Sequence, residues 1–316
     1  MENPAKGDKE LNSSGISIII KSVKNVYENH YKKLLIIPFA LLLIALILIG
    51  IKFANSNDFM NRAVSLKGGV TITLTPAQQT DTLQLKEALL SKFPENDIST
   101  RVISQFGSQA GIIVEADIKE DKVNEFIGEI RKASNLKLEK NDYSVEIVGS
   151  SLGASFFKET MFALLLAFVF MSLVVFIYFR TFVPSMAVIL AAFSDMVVTL
   201  AIINFLDIRI SGAGIAAFLM LIGYSVDTDI LLSTRLLKRK EGSEMERIYS
   251  SISTGMMMNT TTIIAAIIAL IFTQSEVIDQ IMIIILIGMA VDMINTWIQN
   301  VGILRLYLEK KARKAQ

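Results

Sequence analysis

Gln280–Gln299, QIMIIILIGMAVDMINTWIQ, is the stretch on which the architecture turns. Its first half is aliphatic and suits hydrocarbon, whereas Asp292, Asn295, Thr296 and Gln299 dilute its second half. Asp292, Asn295 and Gln299 follow one another at spacings of three and four, so on a helix they form one polar stripe. A stripe this regular reads as a spanning helix with one face turned to other helices. Counting it gives six apolar spans: Leu34–Ile51, Thr160–Phe179, Pro184–Leu206, Gly212–Leu232, Met256–Phe272 and Gln280–Gln299. Each falls in the range of about 17–25 residues that covers hydrocarbon at 1.5 Å per residue.

Composition agrees. The 316 residues are 52% hydrophobic and 19% charged, with mean hydropathy +0.51, outside the usual range for a soluble chain. The first apolar run begins late, lacks a small-residue cleavage pattern and is followed by further spans, so it reads as a retained helix rather than a signal peptide. A net charge of +1 gives no reason to expect a nucleic-acid partner. Without cysteine there is no disulfide framework and no thiolate metal site. His30, the sole histidine, has no local partners for a metal. With no HExxH, nucleophile elbow or P-loop, neither an enzyme nor a cofactor is expected.

An even number of spans makes the charges consistent. Lys21, Lys24, Lys32 and Lys33, then Arg180, then Arg235, Lys238, Arg239, Lys240 and Arg247, then Arg305, Lys310, Lys311, Arg313 and Lys314 all fall on one side. The expected layout is a cytoplasmic segment 1–33, a first span 34–51, an extracytoplasmic domain 52–158, a five-helix region 159–304 and a basic cytoplasmic tail 305–316. The site is the cytoplasmic membrane, with lipid as solvent for the spans.

Within 52–158 the period of the pattern changes. Val70–Leu74 is β-favouring, Gln79–Phe93 has helical spacing through Leu85, Ala88 and Leu89, and Ile98–Phe106 and Ile112–Ala116 are strands joined through Gly107-Ser108. Asp117 is expected to cap a helix burying Val123, Phe126 or Ile127, Ile130 and Ala133, and Tyr143–Val148 alternates as a last strand. The order β-α-β-β-α-β predicts a ferredoxin-like α+β domain. Val64–Leu66 is expected to add a strand, and Gly68-Gly69 a tight turn or hinge.

Carboxylates inside apolar spans mark candidate functional positions, because burying one in lipid is costly. Asp195 lies midway along the third span. Tyr224-Ser225-Val226-Asp227-Thr228-Asp229 occupies the fourth, and at 100° per residue Asp227 shares the Tyr224 side while Asp229 is turned about 160° from Asp227. Asn259 in the fifth span and Asp292 in the sixth complete the set. Small and hydroxylated residues on these helices suit close packing and interhelical hydrogen bonds.

Leu66-Lys67-Gly68-Gly69-Val70, Tyr178-Phe179-Arg180, Ser194-Asp195-Met196-Val197-Val198-Thr199-Leu200 and Ile222-Gly223-Tyr224-Ser225-Val226-Asp227-Thr228-Asp229 together carry a likeness over nearly the whole chain. It resembles the SecF family of the Sec protein-export machinery, closest to the archaeal form. The resemblance implies half of a twelve-helix assembly akin to resistance-nodulation-division transporters. SecD would be the partner, beside a SecY-containing channel, acting on exported preproteins and drawing on a proton gradient. It further implies proton coupling at Asp227, with Asp195 as the acid of the third span, or alternatively a passive scaffold. Two departures stand out. The bacterial fourth-span acid falls one position later, on Thr228, and the bacterial fifth-span arginine falls near Met258, with no arginine in that span.

Overall fold

The computed structural model describes residues 21, 24–75, 81–105, 108–134, 142–239, 241–273 and 275–315. The expected helix start at Gln79, the expected strand end Phe106, Gly107 of the expected turn, Lys240 and most of the amino-terminal segment lie outside these residues.

The first crossing, α1 (Ile36–Ser56), leads into an inserted domain. This runs β1 (Gly69–Leu74), α2 (Thr82–Lys92), β2 (Ile98–Gln105), β3 (Ser108–Ala116), α3 (Val123–Ser134) and β4 (Tyr143–Val148). Then follow α4 (Ser150–Phe179), α5 (Phe182–Phe205), α6 (Gly212–Lys238) and α7 (Glu244–Phe272). The last crossing is composite: α8 (Glu276–Ile294), a π-helical segment Asn295–Asn300, and α9 (Val301–Ala315). Among the described residues six helices are long and apolar enough to span a bilayer, and the protein is a multi-pass membrane protein.

Several helices overrun their apolar stretches. Ser243 and Glu246 form a reciprocal capping box that starts α7 well before Met256. At another connection on the same side, Arg180 in the left-handed region closes α4 (φ 53°), so α5 begins after a two-residue link. The most apolar windows of α5 and α6 are each 56% buried, against 11% for α4 and 17% for α7. The centre of the bundle is therefore α5 and α6, with α8 packed on both, and α4 and α7 present their sides outward.

Among the described residues the domain carries one antiparallel sheet in the order β2-β3-β1-β4. Val70, Ile72 and Leu74 of β1 pack with Leu85 and Leu89 of α2 and Phe126 and Ile130 of α3, which cover one face. From the other face Thr71, Arg101, Glu115 and Glu146 line a cavity of about 470 Å³ shared with Ser211, Glu276 and Gln280 of the bundle. Arg101 pairs with Glu276 at 2.6 Å and Arg209 with Asp97 at 2.5 Å, joining domain and bundle. Asp117 does not cap α3. Its carboxylate accepts from the Asp97 amide at 2.7 Å, and a 3-10 turn over Glu120–Lys122 leads into α3 instead.

Val64–Leu66 is not a strand. Val64–Lys67 forms a short helix closed by the Gly68 amide donating to the Val64 carbonyl at 2.8 Å, and Leu66 is wholly buried among Ile203, Ile210 and Phe218. Docking on the bundle overrides the β preference of the run. Gly68 and Gly69 then turn the chain with φ of 90° and 132°, and a Cβ on Gly68 would lie 2.4 Å from the Ser150 Cα. Gly68→Ala is expected to cost about 1–3 kcal/mol through strain and overlap. Thermal unfolding in detergent should show a lowered midpoint, while Gly50→Ala, whose Cβ meets nothing within 4 Å, leaves it in place.

Candidate functional site

The polar residues that interrupt the apolar helices converge on one seam. α5 contributes Ser194 and Asp195, α6 contributes Ser225, Thr228 and Asp229, and α7 contributes Asn259. The last crossing adds Asp292, Asn295, Thr296, Gln299 and Asn300, and every one of these residues is buried. Asp195 accepts from Ser225 Oγ at 2.5 Å and Asn295 Nδ2 at 2.7 Å. Asp229 accepts from Asn300 Nδ2 at 2.7 Å and Thr296 Oγ1 at 3.0 Å. Asp292 lies near the same Thr296 hydroxyl, at 3.0 Å, and accepts from Asn259 Nδ2 at 3.4 Å. Gln299 Nε2 reaches Ser194 Oγ at 3.4 Å.

The π-helical segment makes this convergence geometrically workable. In a regular α-helix each four-residue step drifts by about 40°, so Asp292, Thr296 and Asn300 would fan over about 80°. Widening the second step to i→i+5 bonding turns the drift back, and Thr296 and Asn300 both meet Asp229.

Electrostatically the seam is one-sided. Among the described residues no lysine or arginine pairs with Asp195, Asp229 or Asp292, and every donor to them is neutral. The buried atoms of this network that lack a partner are Asp229 Oδ2, Asn300 Oδ1 and Gln299 Oε1, all acceptors. Such a site can hold protons and can tie helices together.

Of the residues expected from sequence, Asp195, Asp229, Asp292 and Asn259 are brought together. Asp227 and Tyr224 are not: both are exposed on the opposite side of α6, as a separation of about 160° between Asp227 and Asp229 requires. Gly68 and Gly69 lie at the domain junction, away from the seam. Asn300 escaped notice in the sequence, although it stands eight residues beyond Asp292 and four beyond Thr296.

The family model described as "Protein export membrane protein SecD/SecF, C-terminal" matches residues 129–310. Over 303 residues the chain is 35% identical to the protein-export membrane protein SecF of Pyrococcus furiosus, covering 94% of this chain and 98% of that one. The SecF of Methanocaldococcus jannaschii is 36% identical over 291 residues, covering 90% and 98%. Among solved structures, SecDF of Thermus thermophilus, described as a translocon-associated membrane protein, superposes with a TM-score of 0.68 at 22% identity. That match covers 89% of this chain and 38% of SecDF, so the likeness is one of fold to part of a longer chain.

Proposed function

The chain belongs to the SecF family of protein-export membrane proteins, and from that premise we propose that it is an accessory subunit acting with SecD beside the SecY channel. In this role it promotes translocation or release of preproteins, and its buried seam takes up and passes on protons. The observation that carries the proton step is the seam itself: three buried carboxylates with neutral donors only and an excess of unmet acceptors. Three charges cannot share so dry a place without counter-ions, and a proton added there relieves both problems. Reconstitution with SecD and the channel under an imposed proton gradient tests it. The proposal expects added translocation when this subunit is present, and fails if the gradient makes no difference to that increment.

The neutral donors favour a second reading as well. The same hydrogen bonds would serve a passive scaffold that stabilises the translocon, holding helices in place without proton traffic. We take both termini to be cytoplasmic and the inserted domain extracytoplasmic, on the one-sided distribution of lysine and arginine. The sheet order β2-β3-β1-β4 with both helices on one face supports the ferredoxin-like reading of that domain. Its place outside suits contact with an emerging preprotein.

Asp227 fits a partner rather than the seam. It stands exposed inside a spanning helix, and among the described residues it has no hydrogen-bond or ion-pair partner. A bare carboxylate facing lipid is costly, so this side of α6, with Tyr224, is assigned to the SecD contact. Asp227→Asn is expected to keep SecD co-purification within about twofold, because an amide still hydrogen-bonds. Asp227→Lys should reduce it at least about tenfold, the cost of one unpaired charge at a buried contact. Undiminished recovery of SecD with the lysine variant would remove Asp227 from the interface.

A further inference from the structure

We infer that Tyr27, on the amino-terminal segment, is the positioning residue of the buried seam. It holds Asn295–Asn300 in the π-helical register that supplies the seam's donors. Its hydroxyl donates to the Trp297 carbonyl at 2.8 Å, across 270 residues of sequence. In an α-helix that carbonyl would take the Val301 amide, which here donates to the carbonyls of Thr296 and Ile298. Burial pushes the Tyr27 phenol well above its ordinary range, so it stays a donor.

The segment that carries Tyr27 is itself pinned. Arg305 donates to the carbonyls of Tyr27 at 3.2 Å and Glu28 at 3.0 Å and pairs with Glu244 at 3.0 Å, while Tyr249 donates to Glu28 at 2.9 Å. The Trp297 ring lies where any side chain at Gly255 would stand, with a Cβ there only 2.3 Å from Cζ2. Reversion to α-helix would return the Trp297 carbonyl to the Val301 amide and rotate the helix beyond by about 100°, the turn of one residue. Asn300 would then leave Asp229. The Tyr27 bond and the Asp229 bonds therefore belong to one register and are lost together.

The inference rests on reading the seam as the working part of the subunit, and its test separates the two. Trp297 is the only tryptophan in the chain, so intrinsic emission of the full chain in complex with SecD reports on this turn alone once SecD tryptophans are replaced. Tyr27→Phe keeps the ring and removes the bond. It is expected to move Trp297 emission to longer wavelength and to speed amide exchange over residues 298–302 by about five- to tenfold, the equivalent of one net hydrogen bond. In Tyr27→Phe with Asp229→Leu, which removes the acceptor of Thr296 and Asn300, the two shifts should be non-additive, because both act on one register. Tyr249→Phe loosens the segment without touching the Trp297 carbonyl and should shift emission by less than half as much. Additive shifts, wild-type emission for Tyr27→Phe, or an equal shift for Tyr249→Phe would each overturn the inference. Export stimulation that is indifferent to Asp229→Asn would instead refute the proton reading while leaving the spectral coupling intact.

Discussion

Asp229→Asn is expected to remove the whole gradient-dependent part of export stimulation while the chain still assembles with its partner. Asparagine has the shape of aspartate, and its carbonyl can accept from Thr296 and Asn300 as the carboxylate does. Its new amide donor meets a region whose unmet buried atoms include the acceptors Asn300 Oδ1 and Gln299 Oε1. The change also takes a titratable group out of the bilayer interior, so stability should move by less than about 1 kcal/mol. What asparagine cannot do is gain and lose a proton. Proteoliposomes containing the channel, SecD and either form, assayed with and without a proton gradient, check this. Full stimulation by the variant would leave only the scaffold reading.

Asp195→Leu should act on folding. The two bonds lost, from Ser225 and Asn295, link three helices, and interhelical bonds of this kind average about 0.6 and reach about 1.7 kcal/mol each. The stranded Asn295 amide and a branched side chain set among buried Ala191, Ala192 and Val198 raise the expected loss to about 2–4 kcal/mol. Asp195→Asn retains an acceptor and should lose less than half of that. Unfolding midpoints in detergent for the two variants give the comparison, and equal midpoints would mean that the Asp195 bonds do not hold the bundle.

The spans were legible in the sequence because hydrocarbon tolerates little besides aliphatic residues, and the stripe in Gln280–Gln299 does line the seam. Their ends were less so. Residues 150–159 carry Ser, Lys and Glu, yet continue α4 because Gly153 packs against the Gly68 turn, a contact with no local trace. The intramembrane acids stood out by residue type, but the choice between Asp227 and Asp229 depends on which side of α6 meets the last crossing. Helical geometry could say that they diverge, not which one points inward. Val64–Leu66 illustrates the same limit, since its conformation is set by where Leu66 docks. The π-helical turn had no signature in residue type. A hydrogen-bond slip of one residue depends on the neighbours that accept it, here Tyr27 and the space left by Gly255.

The unbroken helix Ser150–Phe179 has a mechanical consequence. Its 30 residues make a rod of about 45 Å, longer than the hydrocarbon is thick, and its outer end abuts the turn at Gly68. A pivot of about 10° about the inner end would sweep the outer end through about 8 Å. Gearing of that kind would let an ångström-scale rearrangement among α5, α6 and α8 reach the domain as a stroke larger than the diameter of an extended polypeptide.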